Sequence, residues 1–308
     1  MQAVITCFFN PNDCPYRLNN YKQFHKYMKM IDMPVYVVEM VFGDNEFQLT
    51  SEDATWLKQI RGTHLMFQKE RMLNIALDAL PAKYDQVIWL DCDLYFFEED
   101  WVDRVADSLK KYKVIQPYNI CVALPKCNIS IVDKWQTIYY DAWGSGRIKR
   151  SFSYYYSKRK TFPNLHHGHL GYAWAARREF IEKHRFYDVI VSGAGDLFMT
   201  MAFVGAFGWL DYPKELVYYT PEACDHYFKW AFPVYDDIKG EIGYTNDVVF
   251  HMWHGDINNR NYLGWTQNLQ MNRFDPYADL QLNSDGFWEW ATDKPRLHKA
   301  MEMALKHQ

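Results

Sequence analysis

Over its first hundred residues the chain alternates strand and helix signals, and no other feature constrains the fold as tightly. Residues 3–9 form an apolar run that breaks at Asn10-Pro11-Asn12, and residues 17–31 carry helical spacing. Val35-Tyr36-Val37-Val38-Glu39-Met40 is a β-rich run closed by Gly43-Asp44. Helical periodicity returns from Phe67 to Leu80, stops at Pro81, and gives way to a strand at Val87 to Leu90. This βαβαβ order predicts an α/β fold with a mostly parallel sheet. Such sheets bind ligands beyond the carboxyl ends of their strands, so Asn10, Glu39 and the pair Asp91 and Asp93 are expected around one crevice. Neither GxGxxG nor GxxxxGK[ST] occurs, which excludes a dinucleotide-binding fold of the Rossmann type and a P-loop NTPase.

A chain of 308 residues, 49% apolar, can bury a large core, and without repeats or a clear linker it reads as a single domain. Its net charge of −4 gives no global reason to expect nucleic acid. Six cysteines without CxxC spacing argue against zinc and for reduced thiols, hence a cytoplasmic setting. The first ten residues do not resemble a signal peptide, and no 18-residue apolar stretch predicts a membrane span.

The chemistry concentrates at a few loops. Asp91 and Asp93 end the Val87 to Leu90 run, and side chains at i and i+2 of a strand share a face. Two carboxylates there suit Mg²⁺ or Mn²⁺, although an acidic strand end exposed to solvent has the same sequence. His251-Met252-Trp253-His254-Gly255 ends another apolar run, and a neutral imidazole is a competent further ligand for Mn²⁺. Ser192-Gly193-Ala194-Gly195-Asp196 precedes an apolar helical run, so Asp196 reads either as a helix N-cap or as a general base.

Taken in order, Phe67-Gln68-Lys69-Glu70-Arg71-Met72-Leu73-Asn74, Asp91-Cys92-Asp93, Gly168-His169-Leu170-Gly171-Tyr172-Ala173-Trp174, Gly193-Ala194-Gly195-Asp196 and His254-Gly255 resemble the motifs of GT-A fold glycosyltransferases. The likeness runs from the first strand to about residue 262 and is nearest to family-2-like enzymes and the β-1,4-galactosyltransferase group. It implies a Rossmann-like, mostly parallel sheet and a metal-dependent, inverting transfer from a nucleotide diphosphate sugar, most simply a UDP-sugar. Asp93, supported by Asp91, would hold the metal with His254, and Asp196 would deprotonate the acceptor hydroxyl. Phe9, Asn10 and Glu39 fall where such enzymes hold the nucleoside, and Lys69 or Arg71 where they place a basic residue near the nucleotide. Gly171 and Gly195, with the flat faces of Trp174 and Trp253, are expected against the donor. The segment Gln68-Lys69-Glu70-Arg71 departs from the Asn-Arg-Ala-Lys of the galactosyltransferase group, and the catalytic loop has one acid where that group has several.

The acceptor is the open question. From Ala142 to Arg178 there is no acidic residue, while Arg147, Lys149, Arg150, Lys158, Arg159 and Lys160 alternate with Phe152, Tyr154, Tyr155 and Tyr156. Cations with stacking aromatics in segment 147–160 suit a nucleic-acid backbone and a flipped, hydroxymethylated base, and equally an anionic glycan. A solvated basic face or a lid over the donor phosphates is the simpler reading. The alternative to an enzyme is a catalytically silent nucleotide-sugar or carbohydrate-binding protein. A sugar-1-phosphate nucleotidyltransferase would want a Gly-rich basic loop after the first strand, and Asn10-Pro11-Asn12-Asp13 is not one. The chain is thus expected to divide into a nucleotide-sugar half (1–100), an acceptor half (101–265) and a C-terminal helical cover (266–308).

Overall fold

The computed structural model describes residues 1–126, 148–159, 168–207, 219–255 and 262–306. Four runs that end on one edge, β1 (Gln2–Phe9), β2 (Val35–Phe42), β3 (Trp56–Gly62) and β4 (Gln86–Leu90), pair in parallel. They form most of a seven-stranded sheet of order β10-β6-β9-β4-β1-β2-β3, in which β9 (Ala173–Arg177) runs antiparallel between β4 and β6 (Val114–Gln116). The outer strand β10 (Ile242–Tyr244) lies parallel to β6. The α/β class and the mostly parallel sheet are those anticipated. β3 was not, because Lys58, Gln59 and Arg61 interrupt any apolar alternation on this half-exposed edge.

Period-two alternation in β1 explains why helices cover both faces. Ala3 and Ile5 pack with Met72, Leu73 and Ala76 of α2 (Lys69–Asp78), whereas Val4 packs with Phe24, Tyr27 and Met28 of α1 (Pro15–Met30). Pro15 opens α1, where a missing N–H costs nothing. No described helix is long and apolar enough to cross a membrane.

After β4 the chain leaves this sheet. Asp91-Cys92-Asp93 is the turn into β5 (Leu94–Phe96), the edge of a second sheet of order β5-β11-β7-β8. There β11 (Val248–His251) pairs antiparallel with β5 and parallel with β7 (Ile120–Ala123), which in turn holds β8 (Ile148–Arg150). α3 (Trp101–Lys111) links β5 to β6, and α4 (Phe152–Arg159) follows β8. α5 (Arg178–His184), α6 (Gly195–Val204) and α7 (Pro221–Ile238) follow β9.

The C-terminal part is not purely helical. Between α8 (Tyr262–Met271), α9 (Pro276–Asp279) and α10 (Pro295–Lys306) lies a hairpin of β12 (Leu280–Leu282) and β13 (Trp288–Trp290). Gln68 clamps the Trp288 backbone, donating to its oxygen at 3.1 Å and accepting from its nitrogen at 2.9 Å. A cover read as helical therefore includes a hairpin docked at the start of α2.

Candidate functional site

Strand register builds the first half of the site. In the β5–β11 pair Leu94 faces His251, and the Met252 N–H donates to the Asp93 carbonyl at 2.9 Å, so the Asp93 side chain meets the imidazoles that end β11. Its Oδ2 lies 3.4 Å from His251 Nε2 and 3.3 Å from His254 Nε2. One ligand atom from each of these residues lies within 4.8 Å of the others, the spacing of a metal-binding set. Asp93 Oδ1 is buried and has no hydrogen-bond partner, a costly state that a cation would relieve. Burial alone would raise the Asp93 carboxyl, but the imidazoles of His251 and His254, helped by Arg17, hold it well below the usual carboxylate range. The donor chemistry, one carboxylate and two imidazoles, fits a borderline divalent ion.

The second half is built around a cation of the chain. Lys69 opens α2 and reaches Asp91 Oδ1 at 2.6 Å and Asp196 Oδ2 at 3.5 Å, all three side chains being partly buried. Asp196 sits one residue inside α6, whose N-cap is Ala194 in a left-handed conformation, so Asp196 is not itself the N-cap that its sequence position suggested. Burial and the charge of Asp91 raise the Asp196 carboxyl, and Lys69 opposes the rise. Burial would depress the Lys69 ammonium, yet the surrounding carboxylates lift it well above its ordinary value. Glu70, 3% exposed, is pushed up to about 8, chiefly by burial.

Two glycines make this packing possible. A Cβ on Gly171 would stand 2.6 Å from Asp196 Oδ2, and one on Gly195 would collide with the Glu70 carboxylate. Both positions expected to approach the donor thus instead admit carboxylates of the chain itself.

Several expected binding residues are committed elsewhere. Asp91 does not join the Asp93 cluster: β4 stops at Leu90, so the shared-face rule lapses in the turn and the two carboxylates diverge. Glu39 lies inside β2 between β1 and β3, fully buried, where its carboxylate accepts from the backbone of Gln48 at 2.6 Å and from Gln59 at 2.8 Å. That leaves it no face for a nucleoside. Arg71 pairs with Asp188 at 3.1 Å and donates to the Gly286 carbonyl, which makes it a strut between α2 and the hairpin. Trp174 is the centre of β9, 2% exposed, stacked near Trp89 and donating to the Leu170 carbonyl at 2.7 Å, so it is core and not a sugar wall.

Asn10 uses its amide to bind both backbone groups of Cys14 and the side chain of Gln48, fixing the β1–α1 turn. Phe9 packs edge-on against Phe42 at 5.5 Å. Trp253, half-buried next to His254, meets Tyr16 edge-to-face at 4.8 Å, and Lys126 Nζ lies 5.0 Å from its ring centre.

His251 and Glu70 were not singled out by sequence reasoning. The signal for His251 was present in the His-x-x-His spacing, but only the β5–β11 register assigns both imidazoles to one carboxylate. Arg147, Lys160, His166, His167 and Cys127 lie outside the described residues. Within them, Arg150 and Lys158 sit over the Tyr154 ring at 4.4 and 5.3 Å.

No protein-family model matches the chain, and no curated protein matches it. Among solved structures, it is similar to S. aureus TarS 1-349, at 14% identity over 64% of this chain and 53% of that one, with a TM-score of 0.35. The same protein in complex with UDP-GlcNAc matches at 10% identity over 99% and 72%, with a TM-score of 0.39. A 4-diphosphocytidyl-2C-methyl-D-erythritol synthase from Anaerococcus prevotii matches at 9% identity over 88% and 99%, TM-score 0.35. The catalytic domain of Drosophila β1,4-galactosyltransferase 7 in complex with xylobiose matches at 10% identity over 79% and 64%, TM-score 0.31. This chain thus spans about half the length of the first of these. At such scores the overlap is too loose to carry chemistry across.

Proposed function

We propose that this chain is a metal-dependent glycosyltransferase that moves a sugar from a nucleotide diphosphate sugar, most simply a UDP-sugar, to a hydroxyl acceptor with inversion. The observation that carries the proposal is the Asp93 carboxylate, with one oxygen facing two imidazoles and the other buried without a partner. Asp93, His251 and His254 would hold the ion, and two nitrogen donors favour Mn²⁺ over Mg²⁺, which prefers oxygen. When bound, such an ion neutralises the charge of a departing diphosphate as a Lewis acid.

The remaining chemistry belongs to the chain. Asp196 accepts the proton of the acceptor hydroxyl, and its raised pKa suits a base working near neutral pH. Lys69, 3.5 Å away, keeps the carboxylate from being protonated too readily. A single base opposite the leaving group supports a displacement with inversion. Trp253 offers an apolar wall and Lys126 a charge on the metal side of the crevice.

For the acceptor, a glycan or a hydroxymethylated base in DNA, the cations Arg150 and Lys158 over the Tyr154 ring, with exposed Lys149 nearby in the chain, support a polyanion. Activity on DNA should then fall steeply with added salt.

The test is a thermal-shift screen of UDP-, GDP- and dTDP-sugars with and without Mn²⁺, followed by donor hydrolysis. The proposal expects stabilisation and slow hydrolysis only when one donor and Mn²⁺ are both present. Binding without any hydrolysis or transfer would favour a silent nucleotide-sugar binding protein.

A further inference from the structure

Tyr172 is held in an unusual way. Its φ is 74°, in the left-handed region that residues with bulky side chains seldom adopt. A backbone of this kind persists only where its surroundings over-determine it. Here the ring is sandwiched between two imidazoles, His169 at 3.7 Å and 15° on one side and His251 at 4.6 Å and 20° on the other. The Tyr172 carbonyl also accepts from the Asp91 N–H at 2.8 Å, which ties it to the turn that carries Asp93. His169 is fixed in its turn, its Nδ1 accepting from the Gly171 N–H at 3.2 Å and its backbone bonding to Arg150 and Phe152. Burial, first, and the nearby His251 lower the His169 imidazole to about 3, so the outer ring of the stack is neutral.

We propose that Tyr172 is a positioning residue for the metal centre, its ring setting the plane of the His251 imidazole and its backbone holding the turn that presents Asp93. The proposal rests on Asp93, His251 and His254 being a divalent-cation site. The physical reason is preorganisation. An imidazole that swings about its side-chain torsions must be immobilised on binding, whereas one already stacked has lost that freedom. The same residue reaches both ligand-bearing segments, 158 positions apart in the chain, and so fixes their separation (residues 93 and 251). It does this without contributing a ligand atom.

The experiment is a Mn²⁺ titration of the full chain, with free Mn²⁺ read by electron paramagnetic resonance and folding followed by circular dichroism and Tm. Tyr172→Phe keeps the stack and should bind Mn²⁺ within about twofold of the native chain. Tyr172→Leu removes the ring, and Tyr172→Gly removes the ring while relieving the backbone. Both should bind Mn²⁺ about tenfold more weakly or worse, the scale on which supporting residues act on metal affinity. A purely structural role would instead lower Tm and leave the affinity of the folded fraction unchanged, which overturns the proposal. Should neither variant fold, His169→Leu strips the outer face of the stack and decides the matter: weaker Mn²⁺ binding supports the proposal, and native affinity overturns it. Native chain that shows no saturable Mn²⁺ binding overturns the metal reading itself, an outcome distinct from equal binding by native and variant chains.

Discussion

Asp91 and Asp93 stand one residue apart in the same turn, yet they face opposite environments. Asp91 meets a cation built into the chain, Lys69 at 2.6 Å, and shares it with Asp196. Asp93 meets two imidazoles and keeps a buried oxygen without a partner. A carboxylate taken out of water must be compensated, and the two clusters do so differently. On the Lys69 side a cation of the protein sits between two carboxylates, the setting of the proposed proton transfer. The Asp93 side keeps a buried carboxylate oxygen beside two imidazoles, the setting of the proposed metal site.

The largest effect that tests this division is Asp93→Ala, which should abolish saturable Mn²⁺ binding, while Asp91→Ala should retain it. Equal loss in both, read by a Mn²⁺ titration, would merge the two clusters into one. Next is Asp196→Asn, for which kcat should fall at least about 10²-fold with the donor KM little changed, the usual scale for a general base. Lys69→Met should shift the acid limb of the pH–rate profile upward. Lys69 opposes the rise in the Asp196 pKa, so without it the base ionises only at higher pH. Each unit of displacement lowers the rate about tenfold on the acid side. A profile that does not move would detach Lys69 from the base.

The last effect concerns stability and not rate. Glu70 titrates at about 8 in the folded chain against an ordinary 4.5, so between these values the folded state holds a proton that the unfolded state has lost. Stability contributed by the protonated form is present below pH 4.5 and declines as pH rises toward about 8. Glu70→Gln, uncharged throughout, should flatten this decline in Tm across the same window.

Local pattern made β1, β2 and β4 legible, because each is a largely apolar run bounded by turn residues, whereas Lys58, Gln59 and Arg61 hid the parallel strand β3. It also marked the Asp91-Cys92-Asp93 turn, Asp196 and His254 as places of interest. What it could not supply was long-range register. That β5 lies antiparallel to β11, and so brings Asp93 to His251, depends on two segments more than 150 residues apart. Glu39 and Trp174 misled for a related reason. Each sits next to apparent strand-end or loop signals, but the strands continue past them and draw their side chains into the interior, where a carboxylate binds backbone amides and an indole fills the core. Arg71 reads as a nucleotide-side base until a C-terminal hairpin, itself invisible to helical periodicity, arrives to receive it.

The most direct measurement is anomalous diffraction from crystals soaked with Mn²⁺ and a nucleoside diphosphate. The account expects one manganese peak coordinated by Asp93, His251 and His254, with Asp91 still paired to Lys69. A peak bound through Asp91 and Asp196, or no peak at the three ligands at saturating Mn²⁺, would contradict it.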